Sequence, residues 1–114
     1  MALALDLKLR LLHGDEVAMG PGKADLLEAI ARDGSISAAA RSMNMSYRRA
    51  WLLVETMNRC FAEPVVARAV GGTHGGGAQL TATGALVLAE FRKMEAAAQA
   101  AAQAHGAGLA RLLK

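Results

Sequence analysis

The sequence predicts a mainly helical domain with small β elements, and three observations carry that prediction. Residues 34–60, GSISAAARSMNMSYRRAWLLVETMNRC, read as two helices joined by a tight turn. Residues 71–77, GGTHGGG, hold five glycines in seven positions and separate two short strand-like runs. After Thr81 the chain reaches His105 without a proline, with apolar residues at alternating four- and three-residue spacing. At 114 residues it is long enough for one domain with its own core.

From the N-terminus, Leu3, Leu5, Leu7, Leu9 and Leu11 alternate with Ala4, Asp6, Lys8, Arg10 and Leu12. Period two over ten residues predicts a half-buried strand. His13 to Glu16 is a turn, and Val17 to Met19 pairs back as a short strand. Pro21 suits the first turn of a helix running to about Arg32, with Leu26, Leu27 and Ile30 on its core face. Asp33-Gly34 stops it.

The next helix starts near Ile36 or Ser37, and Ala40 sits where it must pass close to its successor. Asn44 falls at the turn, where a left-handed backbone is needed and Asn is the best tolerated residue after Gly. Ser46 offers an oxygen to cap the second helix, which ends near Phe61, before Pro64. Ala50, Val54, Met57 and Phe61 form its apolar face, and Arg48, Leu52, Glu55 and Arg59 lie opposite. Trp51, next to the apolar stripe, is read as core. Residues 65–70 form a strand-like run, and Ala78 to Leu80 return as its partner. A β-ribbon directly after a recognition helix is a wing, so the expected architecture is a winged helix-turn-helix.

Thr81 caps the last helix. Val87, Phe91, Met94, Ala98 and Ala101 make one stripe along it, continued by His105. Phe91 and Met94 need cover, which predicts a homodimer paired through this helix. The expected organisation is a DNA-binding unit over residues 1–80, a continuous dimerisation helix over 81–105 and a frayed tail over 106–114.

Composition narrows the function classes. Thirteen Lys and Arg against ten Asp and Glu give +3, which permits a polyanionic partner without demanding one. The distribution says more. Arg41, Arg48, Arg49, Arg59 and Arg68 crowd a stretch where only Glu55 and Glu63 oppose them. No signal-peptide core and no apolar run of membrane-spanning length appears, so a soluble, cytoplasmic protein is expected, with no membrane partner. Cys60 is the only cysteine and reads as a small buried hydrophobe. His13, His74, His105 and Cys60 lack metal-ligand spacing, and no cofactor is expected. The dispersed carboxylates form no nucleophile–base–orienter set, so an enzyme is not expected.

Arg48 and Arg49 lie in the first turn of the recognition helix, where side chains reach base edges. Either can bond guanine bidentately or grip a phosphate; helical phase favours Arg48 for the base and Arg49 for the flank. Ser46 and Tyr47 can donate to phosphates, and Tyr47 can equally fill the core. The glycine-rich segment lacks the lysine and hydroxyl of a Walker-type phosphate loop. It reads as a flexible connection or as a wing tip. As a wing tip it brings backbone, Thr73 and His74 close to phosphates, with Arg68 adding charge.

In this order, the segments S-I-S-x-A-A, S-Y-R-R-A-W, M-N, G-G-x-x-G-G-G-A and L-T-x-x-G resemble the N-terminal DNA-binding domain of ModE-type molybdate-responsive regulators, from residue 5 to about residue 100. The glycine-rich wing distinguishes that family from the related LysR-type domains. The resemblance implies a winged helix-turn-helix that pairs through its terminal helix and binds operator DNA through Ser46, Tyr47, Arg48, Arg49, Thr73 and His74. Full-length members carry a C-terminal oxyanion-binding module that these residues do not match, so molybdate binding is not expected of this chain. The expected function is sequence-specific binding of double-stranded DNA by a transcription regulator. The alternative is a winged-helix interaction module that dimerises with, or modulates, a full-length regulator.

Overall fold

A computed structural model describes residues 3–69 and 76–114. The elements run β1 (Leu11–His13), β2 (Glu16–Met19), α1 (Pro21–Asp33), α2 (Ile36–Ser42), α3 (Tyr47–Cys60), β3 (Val66–Arg68), β4 (Ala78–Leu80), α4 (Ala82–His105) and α5 (Ala107–Ala110). Two antiparallel ribbons, β1-β2 and β3-β4, flank a helical core. This is the mainly helical, winged helix-turn-helix architecture that the sequence predicts.

Local punctuation sets the helix boundaries. Gly34 takes φ 80 and its N–H closes α1 on the Ile30 carbonyl. The Ser35 hydroxyl accepts from the Ala38 amide and starts α2. Asn44, at φ 56, is the only non-glycine residue with positive φ among the described residues. It turns the chain so that the Met45 amide reaches back to the Ala40 carbonyl at 3.0 Å. Ser46 then caps α3, accepting from the Arg49 amide at 3.1 Å. These positions follow the sequence reading closely because each rests on interactions spanning only a few residues.

The core sits where α1, α2 and α3 meet. Met19, Leu26, Leu27, Ile30, Met57 and Val65 are its largest fully buried side chains. Burying side chains of this kind contributes roughly 1.5–3 kcal/mol each. The wing root is tied into this body. Asn58 on α3 accepts from the Val65 and Val66 amides at 2.8 and 3.2 Å and donates to the Val66 carbonyl at 3.2 Å. On the other side, the Ala78 amide donates to the Gly34 carbonyl at 2.9 Å.

Several expectations need correction. The ten-residue N-terminal strand is reduced to Leu11–His13, because β2 offers only four residues before Gly20-Pro21 ends it. Residues 3–10 instead run beside α4, where Gln103 Nε2 donates to the Leu3 carbonyl at 2.7 Å and Leu7 and Leu9 share a cleft with Ala96 and Gln99. Leu5, Leu7, Leu11 and Leu12 stay exposed. Phe91 is buried within its own domain, and Val87 packs against the same cluster, since α4 starts on top of α1. They therefore do not belong to an uncovered seam. The tail expected to fray carries the one-turn α5, because Gly106 keeps a right-handed helical backbone at φ -88, ψ -5. Its Leu109, Leu112 and Leu113 are exposed.

Candidate nucleic-acid interface

The outer face of α3 is the centre of the candidate site. Ala50, Val54 and Met57 bury one side of the helix. Helical phase then puts Arg48, Leu52 and Arg59 on the opposite side, and all three are exposed. Arg48 and Arg49 diverge by about 100° around the helix. Arg48 points outward from the domain, while Arg49 turns toward the N-terminal flank, where it lines a cleft with Arg10 and Lys23.

The other flank of α3 faces the wing. Tyr47, Trp51, Glu55 and Asn58 on α3 oppose Arg68 and Gly77 across a groove of about 360 Å³. Trp51 was expected in the core but is 43% exposed, and Tyr47 is 55% exposed. Both lie just beyond the buried stripe, on the edge that meets the wing rather than α1. Their rings give the groove an apolar wall, and Arg68 sits on the facing strand. Gly77 lies where the strands draw together: a Cβ there would come within 3.0 Å of the Ala69 Cβ.

Of the expected contact residues, Ser46, Tyr47, Arg48, Arg49, Arg41 and Arg68 are all exposed. Tyr47 and Arg68 line the same groove. Arg41 is on α2, away from that groove. Ser46 already has its hydroxyl engaged as the cap of α3. Thr73 and His74, expected at the wing tip, lie outside the described residues.

Not every arginine of the cluster is free. Arg59 grips Glu16 bidentately, Nε to Oε1 at 3.2 Å and Nη2 to Oε2 at 2.8 Å, locking the β1-β2 ribbon to the end of α3. Hydrogen bonding from Arg59 holds the Glu16 carboxyl below its ordinary range. Cys60 is half-buried, not fully buried as expected, and its thiol donates to the same carboxylate at 3.6 Å. Burial and that hydrogen bond push the thiol up, so it stays protonated. Among the described residues no group of three or more His, Cys, Asp or Glu side chains gathers to hold a metal.

Asn58 is a positioning residue that the residue-by-residue reading missed. Its signal was present, because an amide on the wing-side edge of α3, seven residues before Val65, has no helical partner to serve. Arg10 and Lys23 were missed because nothing in their spacing shows that they meet Arg49.

Comparison with known proteins agrees with this geometry. Residues 23–85 match the family model described as bacterial regulatory helix-turn-helix protein, lysR family. The chain is 44% identical over 84 residues to the molybdenum transport protein ModE of Azotobacter vinelandii, covering 74% of this chain and 31% of that protein. It is 50% identical over 78 residues to the molybdenum-pterin-binding protein MopB of Rhodobacter capsulatus, covering 68% and 29%. It is 44% identical over 64 residues to the DNA-binding transcriptional dual regulator ModE of Escherichia coli K12, covering 56% and 24%. The match thus spans less than a third of each relative's length.

Proposed function

The chain belongs to the lysR family of bacterial regulatory helix-turn-helix proteins, and from that membership we propose that it is a ModE-type transcription regulator that binds double-stranded DNA sequence-specifically as a homodimer. The observation that carries the reading is the outer face of α3. Arg48 stands exposed in the first turn of a helix fixed on its buried side and flanked by a wing. An α-helix fits the major groove, and an arginine there can take both acceptors of a guanine edge. Arg49, Arg41 and Arg68 serve as phosphate contacts on either side.

In this reading residues 1–80 bind DNA, and the helix over 81–105 extends beyond them to pair two copies. Two observations support the pairing. Beyond Phe91 the α4 stripe leaves the domain's own core, and Met94 is 43% exposed with Ala98 and Ala101 following it. Leu5 and Leu7 stand exposed on the segment beside α4. A two-fold axis there sets two recognition helices to reach successive major grooves about 34 Å apart. No helix among the described residues is long and apolar enough to cross a membrane. In this reading the protein works in the cytoplasm, on DNA. The molybdenum in the relatives' names belongs to those proteins; no oxyanion role is assigned to these residues.

Selection of bound fragments from genomic DNA with purified protein tests binding and yields the operator together. On that operator Arg48→Ala is expected to cost roughly 1–3 kcal/mol, with a much smaller loss on random DNA. Failure of the wild-type chain to retain any duplex would refute the reading. Equal losses on both DNAs would make Arg48 a phosphate contact.

A further inference from the structure

A second cluster of cations lies on the side of α3 away from the wing. Lys8 and Arg10 from the N-terminal segment, Lys23 from α1 and Arg49 from α3 line one open cleft of about 400 Å³, whose walls include no acidic residue. The stem of Arg10 packs over Gly20, where a Cβ would meet Arg10 Cγ at 3.7 Å, and this carries its guanidinium toward the start of α1. Lys8 has Asp6 within 3.9 Å. Among the described residues, Arg10, Lys23 and Arg49 make no ion pair. Glu16, whose charge also reaches Lys23, is held bidentately by Arg59.

Bringing these charges together is unfavourable without an anion. Burial is the main cause that pushes the Lys23 ammonium down; the Arg10 and Arg49 charges add to it, against opposing pulls from Cys60 and Glu16. The placement explains the arrangement. An α-helix about 10–12 Å across fills a major groove about 12 Å wide, so its two flanks face the two phosphate ridges. The wing and Arg68 stand on one flank. Leu53 and Arg49 on the other flank open directly into this cleft.

We propose that the cleft formed by Lys8, Arg10, Lys23 and Arg49 grips the DNA phosphate backbone on the ridge opposite the wing. The inference rests on the DNA-binding reading above and extends it to residues of the N-terminal segment and α1. The duplex is clamped from both sides, and the N-terminal segment beside α4 becomes part of the DNA-binding surface.

The test is a fluorescence anisotropy titration of the full chain on the selected operator and on a random duplex of equal length, over a series of salt concentrations. Wild-type binding tests the underlying reading, and its absence sinks both. The Arg10→Gln/Lys23→Gln variant tests the clamp. It is expected to bind both duplexes more weakly by the same factor. Its plot of log K against log salt should be shallower by about one per lost contact. Lys93→Gln/Arg111→Gln, at two exposed positions away from the cleft, serves as a charge-matched control and should match wild type. Circular dichroism establishes that each variant stays folded. Wild-type-like affinity and salt slope in the double variant would overturn the clamp while leaving the DNA-binding reading intact. So would a double variant that loses binding of inorganic phosphate, followed by calorimetry, yet binds DNA normally, because the cleft would then serve a free anion.

Discussion

The Arg92 guanidinium on α4 reaches Asp25 on α1, with Nη2 2.7 Å from Oδ1, and it holds Glu28 through Nε at 2.8 Å. Its remaining nitrogen, Nη1, takes Glu95 at 2.8 Å, so one cation serves three carboxylates. Burial opposes its charge, but these three hydrogen bonds outweigh that and raise its pKa. The consequence is mechanical. Arg92 fixes the direction in which α4 leaves the domain, and with it the geometry of any pairing through that helix.

Removing Arg92 leaves three carboxylates facing one another. Because Asp25 and Glu28 are half or more exposed, water screens much of that repulsion. Arg92→Ala is expected to cost about 1–2 kcal/mol, between the values typical of surface and buried pairs. The measure is a lower urea midpoint with unchanged slope. Arg92→Lys should restore little, since a single ammonium nitrogen does not span the three carboxylates that three separate guanidinium nitrogens reach.

Gly84 allows α4 to begin where it does. A Cβ at this position would overlap the Val65 carbonyl group, which is backbone and cannot swing away. The Gly84 amide also donates to the Thr81 hydroxyl at 2.9 Å, completing the cap. Gly84→Ala must push α4 off the wing root, despite alanine's better helix propensity. A loss of about 1–3 kcal/mol is expected in chemical denaturation, as for overpacking elsewhere. A stabilised variant would show that the helix start can shift freely.

How much of this was legible from sequence depends on the range of the interaction involved. Ser46 and Thr81 cap amides three residues away, and Asn44 acts through its own backbone, so residue type and spacing suffice. Trp51 and Phe91 depend on what lies across from them. Trp51 borders the buried stripe of α3, but its neighbour there is the wing groove, and only the placed wing reveals that. Phe91 fits a helix-pairing pattern and a core pattern equally well, and the position of α1 decides it. The leucine alternation of residues 3–11 marks a strand whose ladder forms only at its end, Leu11–His13. A ladder needs partner residues, and β2 supplies only four. Thr73 and His74 fall outside the described residues, so the wing-tip part of the reading rests on sequence alone.

Asn44 offers a clean backbone test. At φ 56 an L residue without a local hydrogen-bonding side chain is strained. Asn44→Ala is expected to destabilise by roughly 1 kcal/mol, and Asn44→Gly to be neutral or slightly stabilising. Both are exposed-site changes, so packing contributes little. If Ala and Gly give equal midpoints, the turn relaxes out of the left-handed region.

Acid should weaken the fold through two carboxyls. Arg59 hydrogen bonding holds Glu16 below its ordinary 4.5, and Arg32 holds Asp33 below its ordinary 3.8. Each is lower folded than unfolded, so the unfolded state binds more protons as pH falls. Their contribution is fully present above those ordinary values and is lost as pH drops through the lower folded ones. The denaturation midpoint should be flat near neutral pH and fall below about pH 4.5. Glu16→Gln should make that fall shallower; an unchanged profile would place the acid sensitivity elsewhere.

Assembly gives the most discriminating prediction, because two residues of one stripe should behave oppositely. Phe91 is 4% exposed within its own domain, whereas Met94, one turn further on, is 43% exposed. If α4 pairs two copies, Met94→Glu sets two like charges across an apolar seam. The variant should sediment as a folded monomer with a native thermal transition, and operator affinity should fall because each half-site is then bound alone. Phe91→Glu buries an unpaired charge in the core itself, so it should unfold the domain rather than merely separate it. Wild-type protein that sediments as a monomer at micromolar concentration would refute pairing through α4. A Met94→Glu variant that remains dimeric would move the seam to the exposed leucines beside it, where Leu7→Glu then becomes the variant expected to dissociate.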